Sequence, residues 1–419
     1  MRIAFGFDIF YPETNGVITA TINLAKNLIE QGNEVWFFVP KDKGFNEAII
    51  ENGIHIIRVK AVQSWIYKGI KLLPIHSRYL QSYLSKYKID IVHNTSPWLM
   101  GMALNHAARK LHIPSLATHH TLIDNPIYIK YALKSDMLSN AAQNAIWTIV
   151  FNPFFRLTWM VTAPNIHTCA QVKSKVPNLE VRYVSNGIDI DKFLIKEPLC
   201  PTPAIIPQDF LNRNTFVFVG RLGFEKAVDV MLEGFSTITA SHPEARLLII
   251  GEGPAHEQID QIIKDKKLEK NIFLTGKIPN NEIINSMLLT KVCAFVTASL
   301  SENQAMTVIE ALCSGCPVIC ANVDNMTTLV SSEQGWYFKP SDTKDLGTKF
   351  IQAITNQDER DLKAVNARKS INKFDGREVA KEFTKIYKDL LKMKEDGFFV
   401  PGGERKLKSY NKHLNHKPE

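Results

Sequence analysis

The chain has 419 residues, of which 45% are hydrophobic and 22% are charged, and it carries a formal net charge of +8. This composition is typical of a folded protein with about two or three domains and argues against a disordered chain. The positive balance favours an anionic partner, such as a phosphate ligand or a membrane surface. Because the charge is spread along the chain and no recognised binding module occurs, we expect no nucleic-acid partner.

The first residues, MRIAFGFDIFYP, favour a strand over a secretory leader, because Asp8 interrupts the apolar run and no small-residue cleavage site follows. No uninterrupted apolar run of about 18 residues occurs, so we expect no transmembrane helix. Six cysteines without regular spacing favour a reducing compartment. Cys313 and Cys316 form a C-x-x-C without further nearby ligands, and we interpret them as small core residues. We therefore expect a cytoplasmic protein.

The first half of the chain alternates short apolar runs with helical patterns. A predicted strand over residues 2–7 is followed by the loop YPETNG and by a helix that Gly32 ends. Further predicted strands are EVWFFV, IHIIRV, IDIVH and PSLATHH. Strands that alternate with helices in this order predict a parallel sheet covered on both faces.

The second half repeats this pattern. Its predicted strands are TFVFVG, RLLIIG, IFLTG, CAFVTA and PVICA. We therefore predict an α/β fold of two Rossmann-like, doubly wound parallel-sheet domains that face each other across a cleft. The predicted parts are a first domain over 1–187, a second over 188–372, a helix over 373–396 that crosses back to the first domain, and a basic tail over 397–419.

Candidate ligand-binding residues follow the predicted strands, since open parallel sheets bind ligands beyond the carboxyl ends of their strands. Gly16 lies at the start of a helix, where free amides favour an anion or a close backbone approach. An ordinary turn glycine is the alternative. His119 and His120 follow the strand PSLAT. Adjacent residues on a strand point to opposite faces, so at most one of these histidines faces the ligand.

Two charged motifs follow strands of the second half. The segment VGRLGFEKAVDVML places Arg221 after a strand and Lys226 at the start of a helix, which favours a diphosphate site over a solvated basic loop. The segment SENQAMTVIEALCSG predicts a mostly buried helix that Gly315 ends. Glu302 precedes this helix and Glu310 lies within it. A buried carboxylate requires a partner or a ligand.

These motifs, taken in order, resemble the family-4 retaining glycosyltransferases of GT-B fold. The likeness is carried by the two glutamates of SENQAMTVIE, by the GRL…EK segment and by NGID, and it spans almost the whole chain. Within that family, THHTLIDNP, YPETNGV and SENQAMTVIEALCSG are most similar to diacylglycerol glucosyltransferases. The resemblance implies retaining transfer of a hexose, most simply glucose, from a nucleotide-sugar such as UDP-glucose to a lipid acceptor such as diacylglycerol.

The resemblance also implies roles for individual residues. Glu310 would hold the ribose hydroxyls, and Glu302 would contact the donor hexose. Arg221 and Lys226 would neutralise the diphosphate without a metal or any other cofactor. The further implied residues are His120 near the sugar and the acceptor, Gly16 near the phosphates, and Asn303, Gln304, Ala305 and Met306 in the donor site. The family commonly has Gly-Phe-Gly where Asn303, Gln304 and Ala305 stand here, so the identity of the sugar is left open.

Membrane attachment is predicted from SWIYKGIKLL, residues 64–73, which mixes aromatic and cationic side chains. The residues expected to contact an anionic membrane surface are Trp65, Ile66, Tyr67, Lys68 and Lys71. The protein would then be peripheral on the inner face of the membrane. Residues 145–164 have a similar composition. For both segments the alternative is an amphipathic helix packed on its own domain.

Two other functions remain open at the level of the sequence. One is the same reaction on a soluble or other glycan acceptor. The other is a non-catalytic scaffold that binds a nucleotide-sugar, against which the complete set of Arg221, Lys226, Glu302 and Glu310 argues. The sequence carries no indication of an oligomeric state.

Overall fold

The computed structural model describes residues 1–8, 10, 16–41, 48–59, 62–63, 71–72, 77–120 and 136–397. These residues form two compact units. Unit 1 contains the described residues up to Ile188 together with those from Gly376 onward, and unit 2 contains Asp189–Asp375. Apart from Gly397, the predicted basic tail lies outside the described residues.

Unit 1 is built on a mostly parallel sheet. Its described strands are β1 Arg2–Gly6, β2 Glu34–Pro40, β3 Ala48–Glu51, β4 Ile54–Val59, β5 Val62–Gln63, β6 Lys71–Leu72, β7 Ile91–Asn94, β8 Ser115–Thr118, β9 Met160–Ala163 and β10 Glu180–Tyr183. The sheet order is β10-β9-β8-β7-β1-β2-β4-β3, and β5 pairs with β6 alone. Only the edge strand β3 is antiparallel within this sheet as described. All five strands predicted for this half are present, as β1, β2, β4, β7 and β8.

Helices connect the strands of unit 1 and cover the sheet. The described helices are α1 Gly16–Glu30, α2 Ser77–Lys86, α3 Leu99–Lys110, α4 Asp136–Ile146, a π-helical turn Trp147–Phe151, α5 Asn152–Arg156, α6 Ile166–Lys175 and the C-terminal helix Gly376–Glu395. None of the helices in the described part of the chain combines the length and the apolar character that crossing a membrane requires.

The core of unit 1 lies on both faces of the sheet. Along β1, Ile3 and Phe5 belong to one apolar cluster and Ala4 belongs to another, because successive side chains of a strand point to opposite faces. Phe383 and Tyr387 of the C-terminal helix are buried in the first cluster. Both faces are therefore covered, as the near-continuous apolar strands predict.

The aromatic stretch 145–164 is part of a third core cluster in unit 1. Its buried side chains include Trp147, Phe151, Phe154 and Phe155. Strand β9 lies in the same stretch and pairs with β8 and β10 inside the sheet. Ile149 is an exception, with 72% of its surface exposed. These aromatic side chains are therefore packed on their own domain, which was the alternative to membrane contact. They no longer support membrane contact by residues 145–164.

Unit 2 repeats the architecture with a fully parallel described sheet. Its strands are β11 Thr215–Val219, β12 Arg246–Ile250, β13 Ile272–Gly276, β14 Ala294–Thr297, β15 Val318–Ala321 and β16 Gly335–Phe338, in the order β13-β12-β11-β14-β15-β16. Its described helices are α7 Val228–Ser236, α8 His256–Asp265, α9 Asn280–Asn285, α10 Met306–Cys313, α11 Asp324–Leu329, α12 Thr343–Thr355 and α13 Gln357–Lys369, with 3-10 turns at Ile190–Phe193, Phe224–Lys226, Leu288–Thr290 and Ile371–Phe374. The five strands predicted for this half are β11 to β15, and the predicted α/β class is confirmed.

The pairing of β11 with β14 places two loops side by side. Val217 of β11 lies opposite Phe295 of β14, and both strands run in the same direction. Their carboxyl ends therefore meet at one edge of the sheet. The loop after β11 carries Arg221, and the loop after β14 leads to Glu302 and into α10. As predicted, α10 ends just before Gly315, whose φ of +75° is a conformation that glycine adopts easily.

Candidate active site

The loop after β11 fixes an exposed arginine on a buried carboxylate. Arg221 Nη2 donates to Glu225 Oε1 at 2.9 Å. The Arg221 side chain is 56% exposed, whereas that of Glu225 is only 6% exposed. A guanidinium has five N–H donors in a planar fork, so one of its groups can be anchored while others remain reachable. Arg221 is therefore held by the protein and still open to a ligand.

Lys226 and Glu302 form an ion pair in unit 2. Lys226 Nζ donates to Glu302 Oε1, and both side chains are largely buried. The two residues are 76 positions apart and come from the two adjacent loops. The Asn325 side-chain amide also donates to the backbone carbonyl of Glu302. The structure thus brings together two residues to which the family resemblance gives the same ligand.

The predicted donor-binding residues 303–306 form the entry into α10. Ala305 is the N-cap residue in an extended conformation, and Met306 is the first helical residue. Asn303 and Ala305 are buried, and Gln304 and Met306 are half-buried. The first turn of a helix presents backbone N–H groups and partial positive charge, which favours a negatively charged group nearby. None of the residues in this first turn is acidic.

Glu310 is a buried carboxyl group on α10. Only 9% of its surface is exposed, and Asn280 Nδ2 donates to Glu310 Oε1 at 2.9 Å. Burial raises the pKa of Glu310 to about 7, although the Asn280 hydrogen bond and the charge of Lys192 act in the opposite direction. Near neutral pH the group is therefore divided between its protonated and ionised forms. Among the described contacts, no hydrogen bond or ion pair joins Glu310 to Arg221, Lys226 or Glu302.

The two adjacent histidines of unit 1 have different surroundings. His119 is buried against Trp147, Phe151 and Phe155, and burial lowers its pKa to about 3. His120 is less buried and lines a cavity of about 20 Å³, enough space for about one water molecule. Burial lowers the pKa of His120 to about 4, so the imidazole is neutral at physiological pH. The contact of His120 with a ligand stays a prediction.

A buried series of hydrogen bonds through His93 and Thr118 was not predicted. His93 Nδ1 lies 2.8 Å from the Tyr387 hydroxyl, and His93 Nε2 lies 2.6 Å from Thr118 Oγ1. Thr118 Oγ1 lies 2.7 Å from Thr162 Oγ1. Tyr387 and His93 are 294 positions apart, so no local sequence signal could reveal the contact. These hydrogen bonds join β7, β8, β9 and the C-terminal helix within unit 1.

The buried contacts of Asp8 were also not predicted. Asp8 follows β1. Its carboxylate accepts hydrogen bonds from Ser96 Oγ at 2.6 Å and from the Met100 backbone N–H at 2.8 Å. Burial raises the pKa of Asp8 to about 6. Because Met100 lies in the first turn of α3, the carboxyl group caps that helix. The contact gives Asp8 a structural role at the carboxyl edge of the sheet.

The remaining predicted residues of unit 1 are only partly described. Gly16 is the first residue of α1, and the loop before it lies outside the described residues. Trp65, Ile66, Tyr67 and Lys68 also lie outside them. Lys71 begins strand β6. The membrane contacts therefore stay predictions.

Family comparisons agree with the two-unit architecture. Residues 14–192 match the family described as Glycosyltransferase Family 4, and residues 206–370 match the family described as Glycosyl transferases group 1. Together these ranges cover most of the chain. The protein belongs to the family 4 glycosyltransferases. The group 1 domain of this glycosyltransferase lies on unit 2, which also carries Arg221, Lys226, Glu302 and Glu310.

Relatives of this glycosyltransferase include two proteins named alpha-monoglucosyldiacylglycerol synthase and one named sulfoquinovosyl transferase. The alpha-monoglucosyldiacylglycerol synthase of Acholeplasma laidlawii is 26% identical over 403 residues, which is 93% of this chain and 98% of the relative. The enzyme of the same name from Streptococcus pneumoniae is 24% identical over 338 residues, 80% of this chain and 74% of the relative. The sulfoquinovosyl transferase of Arabidopsis thaliana is 24% identical over 361 residues, with coverages of 85% and 67%.

Solved structures share the fold of this glycosyltransferase. A sucrose-phosphate synthase from Thermosynechococcus elongatus has a TM-score of 0.73 and 18% identity, with coverages of 93% of this chain and 98% of that chain. Anabaena HepE in complex with UDP and glucose has a TM-score of 0.70 and 16% identity, with coverages of 93% and 100%. These similarities concern the fold, and the predicted GT-B class is confirmed.

Proposed function

We propose that this glycosyltransferase moves a hexose, glucose in the simplest case, from a nucleoside diphosphate sugar to a lipid acceptor such as diacylglycerol, with retention of configuration. The observation that carries the proposal is the pairing of two cations with two glutamates in adjacent loops of unit 2. Arg221 is paired with Glu225, and Lys226 is paired with Glu302. Cations placed beside a helix N-terminus suit a diphosphate.

In this proposal Arg221 and Lys226 bind the diphosphate of the donor. Their charges stabilise the leaving group as the bond to the sugar breaks, and electrostatic stabilisation of that kind is commonly the largest catalytic contribution. Arg221 is exposed enough to reach a ligand, and Lys226 is already close to Glu302. Two fixed cations can perform this neutralisation without a metal ion. Metal independence is therefore part of the proposal.

Glu302 and Glu310 have separate tasks in the proposal. Glu302 contacts hydroxyls of the hexose, and residues 303–306 line the sugar at the start of α10. The Glu310 carboxylate accepts hydrogen bonds from the two ribose hydroxyls of the nucleotide. A diol supplies two O–H donors for the two oxygens of a carboxylate, which offsets the cost of ionising a buried group. UDP-glucose is the donor that we propose.

The proposed reaction forms one bond and breaks one bond at the anomeric carbon. The acceptor hydroxyl oxygen attacks from the face that the diphosphate leaves, and the electrons of the broken bond depart with the phosphate. The acceptor proton passes to a phosphate oxygen of the leaving group. His120 is uncharged at neutral pH, so it offers a hydrogen bond to a sugar or acceptor hydroxyl without adding charge. In the proposal, Gly16 at the start of α1 lets the backbone approach the phosphates.

The lipid acceptor is supported by the relatives and by the composition of the chain. Two relatives that span most of the chain are alpha-monoglucosyldiacylglycerol synthases by name. The net charge of +8 favours an anionic membrane surface, and the segment 64–73 adds aromatic and cationic residues. We propose peripheral attachment to the inner face of the membrane from the cytoplasm.

An acceptor comparison tests this proposal. UDP release from UDP-glucose is followed with vesicles of phosphatidylglycerol that contain diacylglycerol, with the same vesicles lacking diacylglycerol, and with a soluble disaccharide. The proposal predicts rapid release only when diacylglycerol is present, together with a glucosylated lipid. Release that depends on the disaccharide alone would support the soluble-acceptor alternative. Binding of UDP-glucose without transfer to any acceptor would support the scaffold alternative.

A further inference from the structure

Glu225 combines deep burial with a contact to an exposed cation. Its side chain is only 6% exposed, while its partner Arg221 is 56% exposed. The 2.9 Å hydrogen bond links the last turn of the β11 loop back to the beginning of that loop. The packing around the carboxylate thus limits where the guanidinium can lie, because one end of the pair cannot move freely.

The loop is shaped around this carboxylate. A Cβ atom at Gly223 would overlap both carboxylate oxygens of Glu225. Gly223 has φ −93° and ψ 154°, which alanine adopts without strain. Glycine at position 223 therefore leaves room for the Glu225 carboxylate. It is not required by an unusual backbone conformation. Replacing Gly223 is a way to displace the carboxylate without removing its charge.

The backbone of Glu225 connects the loop to the second glutamate. Its carbonyl oxygen accepts from Ser299 Oγ at 3.3 Å and from the Leu300 N–H at 3.4 Å. Ser299 is fully buried and lies three positions before Glu302. Because these bonds use the backbone, a side-chain substitution at position 225 leaves them in place. The effects of such a substitution therefore report on the carboxylate and on Arg221.

We infer that Glu225 is a positioning residue of the donor site, which orients the Arg221 guanidinium toward the diphosphate; this inference rests on the proposed function. Two effects of the carboxylate oppose each other. Its negative charge weakens the attraction between Arg221 and a phosphate, whereas the hydrogen bond holds the guanidinium in place. If orientation dominates, removing the carboxylate lowers kcat/KM for the nucleotide-sugar donor. If charge dominates, removing it strengthens donor binding.

The test is a double-mutant cycle in the full-length chain. Glu225→Ala is expected to lower kcat/KM for UDP-glucose by about tenfold to a hundredfold in the parent, as displacement of a binding group by about 1 Å can do. In an Arg221→Ala background the same change is expected to alter kcat/KM by less than about twofold, since the residue acts through Arg221. Glu225→Gln keeps an acceptor oxygen and should restore part of the loss.

Gly223→Ala provides a second, independent variant. It should reproduce the loss and should also lose its effect when Arg221 is absent. Glu233→Ala is the matched control, because Glu233 lies in the same unit, is 47% exposed and pairs with Lys266. That variant should behave as the parent does. Should Glu225→Ala fail to fold, Glu225→Gln and Gly223→Ala complete the cycle.

Three results would overturn the inference while leaving the proposed function intact. These are equal losses for Glu225→Ala in both backgrounds, tighter UDP-glucose binding in Glu225→Ala, and full activity of Gly223→Ala. In contrast, a parent protein that neither binds UDP-glucose in calorimetry nor transfers its sugar would overturn the proposed function itself. Calorimetry on the parent therefore separates the two failures.

Discussion

The pKa of Glu310 makes a specific prediction about proton release during nucleotide-sugar binding. Burial raises this pKa from the ordinary value of 4.5 to about 7, so ionising the group in the folded chain costs about 3 kcal/mol more than in water. Two ribose hydroxyls would hydrogen-bond the ionised form and lower the pKa on binding. At pH 7 about half of the free protein is protonated at Glu310, and binding should release roughly half a proton.

The pH dependence of this release has a defined sign. At pH 6 most of the carboxyl groups are protonated, so binding should release close to one proton, and at pH 8 it should release about a tenth of one. The apparent Kd should rise about tenfold for each pH unit below 7, because only the ionised form binds the diol. Titration calorimetry with UDP-glucose in buffers of different ionisation enthalpy measures both quantities.

Two variants control this experiment. Glu310→Gln cannot ionise, so it should bind more weakly and should lose both the proton release and the steep pH dependence. Glu333→Gln changes an exposed glutamate of the same unit and should behave as the parent does. Proton release of the same size in Glu310→Gln would refute the ribose assignment. Tight binding by the parent without any proton release between pH 6 and 8 would refute it as well.

Three further predictions concern the cations, the metal and the membrane. Arg221→Ala and Lys226→Ala should each lower single-turnover rates by about a hundredfold or more, and a smaller loss would remove them from the stabilisation of the leaving group. Chelator treatment should leave activity unchanged, whereas activity that is lost and then restored by a divalent metal would contradict the metal-free mechanism. Serine at Trp65, Ile66 and Tyr67 should reduce flotation with anionic vesicles and leave UDP-glucose affinity intact. Binding of the parent to vesicles should also weaken with salt, given a screening length of about 8 Å at physiological ionic strength, and salt-independent flotation would argue against the basic contacts.

The strands of the central sheets could be predicted because parallel strands are buried on both faces. Runs such as TFVFVG and IDIVH are apolar throughout and end at turn signals. Two of the missed strands, β3 and β9, lack that signature. Strand β3 is a short edge strand, and β9 is hidden in a longer apolar stretch with the aromatic helices before it. Periodicity does not separate a short buried strand from a buried helix in such a stretch.

The candidate site was predicted residue by residue, but its partners were not. Lys226 and Glu302 belong to the two motifs that carry the family resemblance, and the structure pairs them. The anchor of Arg221 and the amide beside Glu310 had no such signal, because Glu225 is one charged residue in a basic loop and Asn280 lies in a turn-like PNN segment. The Asn280–Glu310 contact joins residues 30 positions apart and depends on how two separate segments meet in the folded sheet. The Arg221–Glu225 contact lies within one loop and depends on the conformation of that loop.

The structure of the reaction product reports on both the acceptor and the anomeric configuration. The parent protein is incubated with carbon-13-labelled UDP-glucose and vesicles that contain diacylglycerol, and the extracted lipid is examined by mass spectrometry and by NMR at the anomeric carbon. We predict one labelled hexose on diacylglycerol, joined through the same α configuration that the donor carries. A β-linked product would contradict retention, and the absence of any glycosylated lipid would contradict the proposed acceptor.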